Sequence, residues 1–310
     1  MKTVVCVGEV MVELSGMSAE GLARIGFGGD TANTAVYLAR LASGQAKIGY
    51  LTRLGDDPFG LRIADALRAE AILLPPTAVQ PGRQTGLYAI EVAADGSRSF
   101  HYWRSASPAR DLLTAGNAEV EAAFATSCHA LYFSGITLAI MSPQGRENLL
   151  AAARRVRAKG GIVMFDLNYR PGLWRHMADA GQIGEIYREF MATSSIVKGG
   201  LDELDAVLLP QSAARHADNL HHLGAAVVLV SRDLDGMDVF HAGENRTLVP
   251  KPAAKVVDTT AAGDSFNAGF LHAYLKSSDL IHAVQAGQSL AATVVGHKGA
   301  IIPKDAMQQV

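Results

Sequence analysis

The sequence predicts an α/β fold: a mostly parallel central sheet packed by helices, with a small second β-sheet outside that layer. Two observations carry this expectation. Apolar, β-branched runs of strand length alternate with longer stretches of helical period, the pattern of parallel strands joined by crossover helices. One region breaks the rhythm: Thr85 to Arg104, TGLYAIEVAADGSRSFHYWR, alternates with period two on both sides of Asp95-Gly96, the strongest short hairpin signal.

The opening run Val4–Glu9, valine interleaved with small and polar residues, reads as a buried first strand. The next segment, SGMSAEGLARIGFGGD, is poor in helical pattern. It is expected to join the 85–104 hairpin in the small sheet, within rough bounds of 15–29 and 82–105. Helices over Thr31–Leu41 and Pro58–Ala71 flank a strand at Ile48–Leu54. Beyond the hairpin, strands are expected at Ala130–Gly135, Ile162–Leu167, Ser195–Lys198 and Ala226–Val230, with helices at Pro143–Lys159 and near Ala213–Leu223. A strand pair around Met237–Val249 precedes two closing helices, Gly263–Leu275 and Asp279–Val295. No repeat, low-complexity tract or interdomain linker interrupts the pattern, so residues 1–310 read as one domain. A small sheet beside the ends of parallel strands is well placed to act as a lid; the alternative is a β-excursion without function.

With 310 residues, 49% hydrophobic and 19% charged, the chain can bury one large core or two modest ones. A formal net charge of −2 gives no general pull toward nucleic acid or an anionic membrane, so any anion must be held by a local site. The start, MKTVVCVGEVMVEL, has no basic stretch followed by a long apolar segment and cleavage site. No apolar run approaches the ~18–20 residues that span a bilayer. Cys6 and Cys128, far apart in apolar strand-like segments, read as reduced thiols of a cytoplasmic protein.

Two glycine-bearing stretches carry the chemistry. In DTTAAGDSFNAGF, Asp258 to Phe270, small residues lead to Gly263 and Asp264 at the start of a helix. A helix start offers unpaired N–H groups and the positive end of the dipole, which favour anions. Asp264 reads either as an N-cap or as a base that takes a proton from a hydroxyl attacking a phosphate held there. Capping leaves the small residues unexplained, whereas a phosphate cradle accounts for them. In FGGDTANTAVYLARL, Gly28 and Gly29 precede Asp30 and Thr31, which are candidates to cap the helix carrying Asn33. An acid and an amide bunched there suggest recognition of a polyhydroxy compound by Asp30 and Asn33. No P-loop, dinucleotide fingerprint, HExxH, CxxC pair or GxSxG occurs. His216, His221 and His222 read as a solvated helix face rather than metal ligands.

Together the two motifs resemble the paired signatures of the ribokinase-like (PfkB) carbohydrate kinases, and the spacing matches over essentially the whole chain. Within that family GGDTANTAVYLARL, YWRSASPAR, FDLNYRPGLW and VVDTTAAGDSF are similar to the subgroup acting on 2-keto-3-deoxygluconate. The resemblance implies a three-layer sandwich with a β lid, and ATP and Mg²⁺ as cosubstrates. It also implies transfer of phosphate to the 6-hydroxyl of that sugar acid. It implies Asp264 as general base and the backbone amides of Ala261, Ala262 and Gly263 as an anion hole. It implies substrate contacts from Gly29, Asp30, Asn33, Tyr88, Tyr102, Arg104 and Arg170. Nucleotide contacts are implied at Asn168, Ser231, Asp233, Gly236, Gly263 and Ser289.

A sugar acid differs from a neutral hexose by its carboxylate, and the planar fork of arginine suits that group. YWR places Tyr102 and Arg104 on one face of a period-two strand and Trp103 on the other, where it suits lid packing or a contact between subunits of a homo-oligomer. Tyr88 lies on the partner strand. Two departures from the family pattern stand out. In GLDE, Glu203 fits the family's Mg²⁺-organising acid, but Gly200 stands where Asn is usual. Ala261 replaces a usual glycine, which is tolerable if its φ is negative. The rivals are a kinase for a neutral sugar, beside which two arginines would lack a partner anion, and a non-catalytic sugar-binding protein, against which an intact Asp264 argues.

Overall fold

The structure is a computed structural model that describes residues 1–18, 20–92, 98–175, 179–232 and 235–307. In chain order the strands are β1 (Lys2–Val7), β2 (Met11–Ser15), β3 (Arg24–Gly28), β4 (Ala46–Leu51), β5 (Leu54–Gly55), β6 (Ile72–Leu73), β7 (Val79–Gln80), β8 (Leu87–Val92), β9 (Arg98–Trp103), β10 (Ala130–Ser134), β11 (Ile162–Asp166), β12 (Ile196–Gly200), β13 (Val227–Ser231), β14 (Met237–His241) and β15 (Glu244–Leu248). The α-helices are α1 (Asp30–Ala42), α2 (Pro58–Ala69), α3 (Ala118–Thr126), α4 (Gly135–Ile140), α5 (Pro143–Ala158), α6 (Ala180–Thr193), α7 (Leu201–Val207), α8 (Ala213–Leu223), α9 (Ala262–Ser277) and α10 (Leu280–Val294).

The valine-rich opening run lies inside a nine-stranded sheet of order β15-β14-β13-β12-β11-β10-β1-β4-β6. All six strands expected to be parallel pair in parallel, and only the β13–β14 and β14–β15 pairings of this sheet are antiparallel. Both faces are covered, which is why β1 is apolar at nearly every position. Val4 and Cys6 enter a core with α1, α9 and α10. Val5 and Val7 enter the opposite core, shared with α5, α6 and α8. This is the three-layer sandwich.

The second sheet has four strands in the order β3-β2-β8-β9. The hairpin is present, with Tyr88 opposite Tyr102 in antiparallel register. Its tip, with the Asp95-Gly96 signal, lies outside the described residues. The sheet starts at Met11 rather than near residue 15, because β2 pairs in parallel with β8. Register aligns the carboxyl ends of the central strands: Asp166 lies opposite Lys198, and Gly200 opposite Ser231. Ligands of open α/β sheets bind at that edge.

Candidate active site

A cavity of about 980 Å³ opens at that edge, lined by the starts of α1 and α9, the ends of β11 to β13 and one face of the small sheet. Its size lies at the upper end of the range for small-molecule sites.

At the start of α9, Ala261 occupies the N-cap position with no side-chain cap, and its φ is 61°. The condition under which an alanine is tolerable there, a negative φ, is not met. The turn demands the left-handed conformation, and an alanine there carries strain that a glycine would not. Ala262 N donates to Thr259 O at 3.2 Å, so one of the three expected anion-hole amides is engaged within the loop. Gly263 and Asp264 follow in the first turn, where no preceding helical carbonyl can take their N–H groups. A Cβ on Gly263 would meet only Lys198 Nζ, at 3.8 Å. Asp264 is not the cap. Its Oδ2 accepts from Asn33 Nδ2 at 2.8 Å, and its carbonyl accepts from Thr34 Oγ1 at 3.1 Å, tying α9 to α1.

Neither Asp30 nor Thr31 caps α1, since Gly29, which has no side chain to cap with, is the N-cap; its carbonyl accepts from Asn33 N at 2.7 Å. Gly29 is glycine for space, because a Cβ would lie 2.1 Å from Glu9 O. Asp30 Oδ2 accepts from Ser134 Oγ, and from Asn168 Nδ2 at 2.9 Å. Asn168 therefore stands on the Asp30 side of the cavity. Burial pushes Asp30 above its usual range against the bonds from Ser134 and Thr31, and Asp166 adds to the rise. Burial, then the charge of Asp30, raises Asp264 well above the ordinary carboxylate range.

Sequence reasoning missed the group behind these acids. Asp166 Oδ2 accepts from Lys198 Nζ at 3.0 Å and from Asn267 Nδ2 at 2.6 Å, and all three residues are buried. Lys198 thereby places an ammonium next to the first turn of α9. The available signal was charge at the ends of two expected strands, in FDLN and IVKGG. Arg98 was also missed. From β9 it donates to Asp258 Oδ1, and to Thr260 Oγ1 at 2.9 Å, linking the small sheet to the loop before α9. Burial alone would raise Asp258, but bonds from Arg98, Thr260 and Gly299 hold it at about 2.

The side wall carries the expected aromatic and basic residues. Tyr88 Oη donates to Glu13 Oε2, and the Tyr88 and Tyr102 rings lie 6.0 Å apart. Tyr102, Arg104 and Arg170 line the cavity as expected. Both arginines, however, have partner anions within the chain. Arg104 Nη2 pairs with Glu9 Oε2, and Arg170 Nη1 with Glu203 Oε1 at 3.2 Å. The premise that they would lack anions beside a neutral sugar is corrected: the first strand's end and α7 supply them.

Glu203 Oε1 also accepts from Tyr169 N at 3.1 Å, and Oε2 accepts from Gly200 N at 2.9 Å. Burial, with Asp166 nearby, raises its pKa. Both oxygens of this carboxylate are thus engaged by N–H donors, and among the described residues no cluster of three or more metal-binding side chains occurs. Of the expected nucleotide contacts, Asn168, Ser231 and Gly263 line the cavity, whereas Gly236 and Ser289 do not. Asp233 lies outside the described residues. His216 is fully buried and bonded to Asp205 Oδ1 at 2.7 Å, so the solvated-face expectation fails for it; His222 is exposed. Cys6 and Cys128 are free thiols, and among the described residues no helix is long and apolar enough to cross a membrane.

Comparison with known proteins adds to this geometry. A family model described as pfkB family carbohydrate kinase matches residues 1–307. The 2-dehydro-3-deoxygluconokinase of Escherichia coli strain K12 is 39% identical over 310 residues, covering 99% of each chain. The solved 2-dehydro-3-deoxygluconokinase of Thermotoga maritima superposes with a TM-score of 0.80 at 21% identity, covering 97% of this chain and 94% of that one. A fructokinase with bound ATP from Xylella fastidiosa gives 0.82 at 22% identity, covering 98% and 94%. At these identities the two structures establish the fold alone.

Proposed function

We infer that this chain, which belongs to the pfkB family of carbohydrate kinases, phosphorylates the 6-hydroxyl of 2-keto-3-deoxygluconate with ATP as donor. The observation that carries the reading is Asp264 in the first turn of α9, with Lys198 beside that turn, in a cavity walled by Tyr102, Arg104 and Arg170. The similarity to the E. coli enzyme supports the substrate class.

In this mechanism Asp264, oriented by Asn33, takes the proton as the O–H bond of the 6-hydroxyl breaks. The freed oxygen bonds to the γ-phosphorus while the bond to the departing ADP oxygen breaks. First-turn amides of α9 and the Lys198 ammonium stabilise the charge on the moving phosphoryl group. Arg104, Arg170 and Tyr102 hold the carboxylate end, and the small sheet closes as a lid over it. ATP brings the phosphoryl group and Mg²⁺ accompanies it; Glu203, at the cavity wall, would help to organise that ion. The same reading makes the protein cytoplasmic and a homo-oligomer through the small sheet, where Trp103 is 62% exposed.

A neutral-sugar kinase has one observation in its favour: Glu9 and Glu203 already pair the two arginines. An ATP-consumption assay over 2-keto-3-deoxygluconate, 2-keto-3-deoxygalactonate, gluconate, fructose and ribose separates the two. The sugar-acid reading expects the highest kcat/KM on a 2-keto-3-deoxy acid. Fructose or ribose in first place would replace it.

A further inference from the structure

Glu9 is only 3% exposed, yet it lines the cavity. Its Oε2 accepts from Arg104 Nη2, while its Oε1 is buried and has no partner. Arg104, 9% exposed, shows the mirror arrangement, since its Nε–H is buried without a partner. An orphaned acceptor and an orphaned donor thus flank one ion pair, each on the same rigid planar group as the atom that makes it. Buried polar atoms left in this state cost free energy, so each calls for a partner from outside the chain, a water molecule or a bound ligand. A carboxylate cannot serve both atoms because it has no proton for Glu9, and an ammonium has no lone pair for Arg104. A hydroxyl has the chemistry for both, an O–H to donate to Oε1 and lone pairs to accept from Nε–H. Gly86 lies close to this oxygen, and a Cβ there would sit 3.1 Å from Oε1.

We propose that Glu9 is a substrate-selecting residue that fixes Arg104 through Oε2 and, together with Arg104 Nε–H, receives one hydroxyl of the sugar. The proposal rests on the kinase reading above and deepens it. Glu9 offsets the charge of Arg104, so this corner of the site reads a hydroxyl, and the remaining N–H groups of Arg104 stay available to the carboxylate.

The test compares kcat/KM on 2-keto-3-deoxygluconate and on analogues lacking the 4- or the 5-hydroxyl, for the native enzyme, Glu9→Gln and Glu9→Ala. The native enzyme is expected to lose about 10- to 150-fold on one analogue, mainly through KM, as for a hydrogen bond to a charged group. Glu9→Ala should lose that discrimination and Glu9→Gln should keep part of it. If Glu9→Ala does not fold, native against Glu9→Gln decides the matter. Equal native activity on all analogues, or full discrimination retained in the Glu9 variants, overturns the proposal and leaves a water molecule as the partner of the pair. If the native protein phosphorylates a neutral sugar instead, the substrate reading alone fails, and deoxy analogues of that sugar test Glu9 in the same way.

Discussion

The two glycine-flanked helix starts face one cavity but use glycine for opposite reasons. At α1, Gly29 is dictated by the protein itself, whose Glu9 carbonyl would lie 2.1 Å from any Cβ. At α9, Gly263 has open space in front of it, with nothing closer than Lys198 Nζ at 3.8 Å. One start is packed and carries the fixed carboxylate of Asp30; the other has Ala262 N engaged within the loop but leaves the N–H groups of Gly263 and Asp264 without a helical partner. Similar motifs in a sequence therefore need not report the same constraint. Here one reports packing and the other access.

The largest effect should come from the accessible side. Asp264→Asn preserves shape and removes the proton acceptor, so kcat should fall roughly 10²- to 10⁴-fold with little change in Tm. Retained turnover in steady-state assays would reduce Asp264 to a tie between α9 and α1.

The arginines sharpen the comparison at the side wall. Arg170→Leu removes a group whose side chain is 55% exposed, so stability should hardly change while KM for the sugar acid rises about 10- to 150-fold. Arg104→Leu should do the same and also lower Tm, because Glu9 is left buried and unpaired. The control is activity on fructose. Equal losses on acid and neutral sugars would assign these arginines to the fold or the nucleotide.

The smallest effect separates the two glycines directly. Gly29→Ala forces a Cβ against backbone and should cost roughly 1–3 kcal/mol, read as a lower Tm without ligand. Gly263→Ala should leave Tm unchanged. Matching losses at the two positions would erase the distinction between packing and access.

Much of this was legible in the sequence. Apolar runs buried on both faces identified all six parallel strands, and period two with Asp95-Gly96 identified the hairpin. Four helices went unread: α4 has six residues and α7 seven, too few to show a helical period, whereas α3 with nine and α6 with 14 were long enough and were missed. His216 looked solvated because its partner Asp205 sits on another helix, and helical period cannot show which face a neighbour covers. Asp264, Asp30 and Asn33 were legible because glycine and helix-start chemistry are local. Asp166, Lys198 and the Glu9–Arg104 pair were not, since each depends on residues brought together by sheet order. The left-handed conformation of Ala261 was hidden for a related reason: the residue type argued against the geometry it adopts.

The central claim is that Asp264 acts as a base whose ionisation is held back by burial and by Asp30. The measurement is the pH dependence of kcat/KM, which reports groups of the free enzyme. Only the deprotonated form accepts a proton, so activity should rise with pH through a limb lying above the ordinary carboxylate range. In Asp30→Asn the like charge is gone, so the limb should move to lower pH even though overall activity is reduced. A profile flat from the ordinary carboxylate range upward, or a limb unmoved in Asp30→Asn, would contradict the account.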